Sequence, residues 1–132
     1  MNPFHLALPV HDLTAARCFY GDLLGCSEGR SAERWIDYDF FGHQLSVHLV
    51  DEEEQVVTNS VDGDQVPARH FGVVLPWLKW QSLQERFENF LIPPKVRFKG
   101  EVGEQGTFFV HDPSGNALEF KSFKDPSRLF AR

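Results

Sequence analysis

His5, His70 and Glu119 are the side chains of this 132-residue sequence whose types combine into a definite chemistry. Two neutral imidazoles and one carboxylate form the facial three-ligand set of non-haem Fe(II) sites, which leaves coordination positions open. Adding His48 gives a four-ligand set, and mixed His and carboxylate donors of that kind suit Zn, Ni, Co or Mn. The residues lie far apart in sequence, and no compact HxxH or CxxC motif joins them. Residue type alone therefore leaves a second reading open, in which His5 and His70 are half-buried sheet histidines bonded to backbone and Glu119 pairs with a base.

Other polar residues carry less. His11 and His43 fall at predicted turns and are expected to be exposed. His111 shares strand parity with Thr107 and Phe109, so it reaches whatever that face lines. Lys95, Arg97 and Lys99 alternate, which suits either an anionic substrate or a solvated edge strand. Cys18 is read as a packing residue of the first helix, because no acid–base partner stands beside it. There is no Gly-rich phosphate loop and no GxSxG.

A site built from such distant residues needs strands to present them, and the chain carries a weak internal repeat that supplies them. Phe4–Val10 and Arg69–Leu75 each read as a strand followed by a helix and further short strands, so each half is β-α-β-β-β. The first helix is expected over about 12–24, with Asp12 as N-cap, an apolar stripe from Leu13 to Leu24 and Gly25 as the left-handed stop. The second is expected over about 76–91, ended by Pro93-Pro94. Alternation splits each strand into a bulky apolar face and a face of small residues carrying His or Glu. On the second face Ala7 lies by His5, Ser46 by His48, Gly72 by His70 and Ala117 by Glu119, which leaves room for a metal and a substrate. The halves run over about 1–50 and 66–132, and 51–65, rich in Asp and Glu, reads as a solvated linker. It lacks the alternating ligands and closing Glu of an EF-hand.

Length and composition place these modules in a single domain of 15.2 kDa with 42% hydrophobic and 24% charged residues. The net charge of −6 lacks the basic face that nucleic acid requires. No apolar run approaches the roughly 18 residues of a membrane helix. Residues 1–10 have no basic region or cleavage site, so a cytoplasmic protein with its two cysteines reduced is expected. Thirteen Phe and three Trp are enough to fill a core and line a pocket for an organic ligand. Trp77, Trp80, Phe123, Leu129 and Phe130 exceed what one helical stripe and a strand end hide, and predict a homodimer.

The opening His5 strand, the run Asp12…Ala16…Phe19-Tyr20…Leu24-Gly25, and the closing Asp112-Pro113-Ser114-Gly115-Asn116-Ala117-Leu118-Glu119 resemble the vicinal oxygen chelate superfamily. That group holds glyoxalase I, extradiol dioxygenases, and fosfomycin- and bleomycin-resistance proteins. The last run matches its terminal D-P-x-G-N-x-x-E signature, and with the His70 strand the resemblance covers essentially the whole chain. It implies an α+β fold of two βαβββ modules curled into an open barrel, with a divalent metal, Fe(II) ahead of Zn, Ni, Co or Mn, on His5, His70 and Glu119. It implies chelation of a small substrate through two adjacent oxygens, and small members of the group usually pair as dimers; the aromatic-rich strands of this chain make that substrate aromatic or otherwise apolar. Aligned on the two turn glycines, Ser46 stands where glyoxalase I carries a ligand Glu, which puts extradiol-type cleavage ahead of a glyoxalase-type lyase or isomerase. A non-catalytic drug-binding protein is the third reading, and such proteins usually lack the metal ligands. His48 is the candidate acid–base group; Ser46, Phe109 and His111 are the candidate substrate contacts.

Overall fold

A computed structural model describes residues 2–132. The described residues divide into two compact units, one of residues 2–55 with 112–116, the other of residues 56–111 with 117–132.

The first unit opens with β1 (His5–Val10), followed by α1 (Leu13–Ala16), which continues as a π-helix (Arg17–Leu23). Asp12 caps it as expected, accepting from Ala15 N at 3.1 Å, and Gly25 takes φ +76° just past its end. The regular α-helix expected over 12–24 is corrected to a short α-helical start followed by the wider π-helix of Arg17–Leu23, in which the consecutive Phe19 and Tyr20 are both buried. Strands β2 (Ser27–Ala32), β3 (Trp35–Phe40) and β4 (His43–Leu49) complete a sheet of order β1-β4-β3-β2. β1 pairs with β4 in parallel, so the helix and two strands between them form the crossover that parallel pairing requires. Leu8, Val10, Ile36, Tyr38, Leu45 and Val47 bury one face against Phe19 and Tyr20, while His5, Ala7, Gln44 and His48 lie exposed on the other.

The turn 112–116 packs with this unit. Asp112 is 4% exposed and its carboxylate accepts from Tyr20 Oη (2.7 Å), the backbone N–H groups of Ser114 and Asn116 (2.9 Å each) and Asn116 Nδ2 (2.8 Å). Asn116 Nδ2 also donates to the Pro9 carbonyl at 2.8 Å. The D-P-x-G-N run is therefore a clamp between a turn, β1 and the helix. Burial, reinforced by the Asp112 charge, pushes the Tyr20 phenol well above its ordinary range.

The second unit repeats the order. β7 (Phe71–Val74), α2 (Trp77–Gln84), β8 (Ile92–Arg97), β9 (Gln105–His111) and β10 (Ala117–Phe123) form a sheet of order β7-β10-β9-β8, again with its first and last strands parallel. The second helix is shorter than expected: 85–91 leaves helical form, which lets Phe87 and Phe90 both pack on Phe108, at 5.7 and 5.5 Å between ring centroids. Pro93-Pro94 lies inside β8 instead of ending the helix; β8 is an edge strand, where a missing N–H costs no ladder bond, and the register shifts between Ile92 and Lys95. Trp80 is 2% exposed, donates to the Phe120 carbonyl at 2.9 Å and lies over Gly106, where a Cβ would strike its ring. Trp80 and Phe123 are thus hidden within the unit, whereas Leu129 and Phe130 are exposed.

The segment expected to be a linker holds structure at its end. β5 (Thr58–Val61) and β6 (Asp64–Pro67) pair as a hairpin around Asp62-Gly63, both at positive φ (49° and 85°). Asp-Gly is a strong two-residue hairpin signal. Its weight in the sequence is masked by the surrounding acidic residues. No helix among the described residues is long and apolar enough to cross a membrane.

Candidate metal and substrate site

In the second unit the register places one cross-strand row, Gly72–Glu119–Phe109, beside another, Val74–Lys121–Thr107–Lys95. From these rows Glu119, Phe109, Lys121, Thr107 and Lys95, with His70 just before β7, line a cavity of about 270 Å³, together with Val61, Asp64 and Val66 of the hairpin. That is just below the roughly 300–1,000 Å³ of pockets for drug-sized ligands, and suits a small molecule.

His70 and Glu119 are brought together here: Nε2 lies 4.0 Å from Glu119 Oε2. His70 Nδ1 lies 2.8 Å from the Pro67 carbonyl, which only accepts, so Nδ1 carries a proton and Nε2 is the nitrogen that faces Glu119. A backbone carbonyl on one imidazole nitrogen is the usual partner of a metal-binding histidine. The hairpin is what supplies it, since Pro67 ends β6. A separation of 4.0 Å is no more than twice a metal–ligand bond of roughly 2.1 Å, so one ion can touch both atoms. The donor set therefore fits a divalent ion. Phe109 packs edge-on to His70 at 5.1 Å, and Lys121 Nζ lies 3.7 Å from Glu119 Oε1. Among the described residues, no three His, Cys, Asp or Glu side chains are gathered as a ready metal cluster.

His5, Ser46 and His48 lie in the first unit. His5 and His48 are exposed on the small-residue face of β1 and β4, as alternation predicts. Ser46 is buried and donates to Asp37 Oδ1 at 2.5 Å; Gln44 Nε2 donates to Asp37 Oδ2 at 3.3 Å. Sequence reasoning missed Asp37, which sits directly across from Ser46 on β3. The signal was there: in Trp35-Ile36-Asp37-Tyr38-Asp39-Phe40 the apolar residues after Trp35 alternate with carboxylates. His111 is exposed at the end of β9 and does not line the cavity, whereas Phe109 does. His11 is exposed as expected, and His43 Nδ1 accepts from Phe4 N at 2.7 Å. Cys18 is exposed, not packed as expected, because the widened helix turns it outward. Cys26 is buried, which together with the Asp39 charge pushes its thiol up to about 11. Both cysteines are free thiols.

This fold is that of a glyoxalase-like protein. The chain is similar to a glyoxalase/bleomycin resistance protein/dioxygenase from Alicyclobacillus acidocaldarius, at 36% identity over 98% of this chain and 96% of that one, with a TM-score of 0.78. It belongs to the glyoxalase/bleomycin resistance protein/dioxygenase family, within the vicinal oxygen chelate superfamily. It also resembles in fold the fosfomycin resistance protein FosX from Listeria monocytogenes (17% identity, 98% of each chain, TM-score 0.72). A lactoylglutathione lyase from Agrobacterium tumefaciens is similar at 19% identity over 99% of this chain and 97% of that one, with a TM-score of 0.65. No family model and no curated protein matches the chain.

Proposed function

We propose that the protein is a divalent-metal enzyme acting on a small, apolar-bodied substrate with two adjacent oxygens. The observation that carries this reading is the imidazole of His70, held by the Pro67 carbonyl on one side and offering its other nitrogen toward Glu119 at 4.0 Å. His5, the counterpart of His70 in the repeat, is the proposed third ligand. When bound, the ion supplies Lewis acidity toward chelated oxygens. The chain's own part is to hold the His70 ring in one tautomer and to offer Phe109 as an apolar wall. We assign proton transfer to His48. Extradiol-type cleavage of a catechol, with O2 as co-substrate, is the reading preferred for Fe(II). A lyase or isomerase reading has one observation in its favour: Asp37 gives the first module a carboxylate directly across from Ser46.

Protein purified anaerobically without a His tag should contain near-stoichiometric metal. His5→Ala, His70→Ala and Glu119→Gln should each cut that content sharply while the circular dichroism spectrum persists. Full stoichiometry in all three variants overturns the assignment. Oxygen uptake by the Fe(II) form with a catechol panel supports cleavage; isomerisation of hemithioacetals by the Zn or Ni form, with no oxygen uptake, selects the second reading.

A further inference from the structure

We propose that the cavity of the second unit binds an anionic oxygen group of its substrate, a carboxylate, phosphate or phosphonate, between Lys95, Thr107 and Lys121. The three stand in one cross-strand row on three neighbouring strands, with the threonine between two cations. Side chains directly opposite on a sheet face have Cβ atoms about 4.5–5.5 Å apart, so the row converges on a space the size of one anionic group. Thr107 is only 9% exposed and lines the cavity, and its buried hydroxyl has no hydrogen-bond partner. Buried hydroxyls are paired in folded proteins, so an orphan in a residue of the cavity wall points to a ligand oxygen.

In the free protein, carboxylates of the chain stand in for that ligand. Lys95 Nζ meets Asp64 Oδ2 at 2.5 Å, and Arg97 pairs with Asp62, both partners lying beside the turn of the hairpin. Lys121 leans on Glu119 at 3.7 Å. The lysine and arginine side chains are about one third exposed, and ion pairs this wet are weak and exchangeable. An incoming anion therefore takes the place of Asp64, and the Thr107 hydroxyl gains its missing partner. Glu119 and Lys121 are two residues apart on one face of β10, which separates the anion site from the His70–Glu119 pole by roughly 7 Å along the strand. The ligand so defined has an anionic end, a small apolar body against Ile92 and Phe109, and an oxygen-bearing end at His70 and Glu119. The proposal names the substrate class for the function proposed above, and rests on that reading only in treating the bound anion as part of a substrate.

Binding is measured by calorimetry on the full chain freed of metal on a chelating resin, so failure of the metal reading leaves this test untouched. The probes are phenylphosphonate and benzoate, with benzyl alcohol as neutral control. At least one anion should bind tenfold or more tightly than the alcohol; if phenylphosphonate alone does, the site takes a tetrahedral anion, and if benzoate binds as well, it takes a carboxylate. Thr107→Val and Lys95→Gln should each lower affinity about tenfold, and Thr107→Ser should retain it. Asp64→Asn should raise affinity severalfold by removing the competing carboxylate. Thr107→Val should leave the Tm of the ligand-free protein unchanged or higher, since it deletes an unpaired buried hydroxyl; this separates ligand contact from a structural role. The proposal is overturned if the anions bind no better than benzyl alcohol, or if Thr107→Val and Asp64→Asn both leave their affinity unchanged.

Discussion

Replacing Gly72 by alanine should disrupt the pairing that presents Glu119. Gly72 and Glu119 are partners in the parallel ladder between β7 and β10. A Cβ built on Gly72 falls against the carbonyl oxygen and carbon of Glu119, inside any real contact distance. Both atoms are backbone, so no change of rotamer relieves the clash, and one strand must move. Inserting a single carbon into a packed site costs roughly 1–3 kcal/mol, and a backbone contact puts this variant at the upper end, about 3 kcal/mol. An unfolding entropy of about 2.1 cal/mol/K per residue is roughly 0.28 kcal/mol/K for a chain of this length, so the Tm should fall by about 11 °C. His70 precedes β7, so separation of the strands also widens the His70–Glu119 gap, and divalent-metal affinity should drop about tenfold or more. Thermal unfolding by circular dichroism and metal competition against a fluorescent chelator read the two effects. Gly29→Ala is the control: its Cβ would meet Asp37 Cβ at 3.6 Å, an ordinary contact, and its Tm should stay within about 2 °C of the parent. A Gly72→Ala protein that melts within about 2 °C of the parent refutes the reasoning, because the strands would then have room to give.

Tyr20→Phe removes one buried donor from Asp112 and should lower unfolding free energy by about 1.5–3 kcal/mol in urea, the worth of a hydrogen bond to a charged group; an unchanged midpoint would remove that bond from the clamp. Glu104 is held below the ordinary carboxylate range, first by the Gly100 N–H and then by Lys124, so it stabilises the fold above the unfolded carboxylate pKa and loses that contribution as pH falls through its lowered value. Glu104→Gln should therefore lower Tm at pH 7, with the difference from the parent shrinking on acidification; a pH-independent difference contradicts this. Phe130 is 90% exposed and Leu129 37%, so sedimentation at micromolar concentration should give about twice 15.2 kDa and Phe130→Ser should weaken the dimer; a monomer at high concentration rules the dimer out.

Much of the architecture was legible because it rests on short-range periodicity. Alternation in Phe4–Val10, Phe71–Leu75, Leu45–Leu49 and Leu118–Phe120 separates core faces from bare faces, and burial follows that division at Leu8, Val10, Leu45, Val47, Leu118 and Phe120, but not at Phe4, which is exposed at the strand's start, nor at Ser46, which is buried against Asp37. Asp12 and Gly25 marked the ends of the first helix because capping is local chemistry. The D-P-x-G-N run marked a turn for the same reason. His70, Phe109 and Glu119 could be named from type and parity, and they share one cavity.

What the sequence left undecided depends on contacts between strands far apart in the chain. Gly72 reads as a small residue leaving room for a ligand, yet the tertiary structure gives it a different reason, the close approach of the Glu119 backbone. Ser46 reads as a vacancy in a ligand pattern, but the cross-strand register sets Asp37 beside it. The acidic segment reads as solvated, and only its pairing with Lys95 and Arg97 shows why two of its carboxylates stand at the hairpin turn. Composition and spacing along one strand report which face a side chain takes. They carry no record of which residue of another strand lies opposite, because that register is set by the packing of the whole sheet.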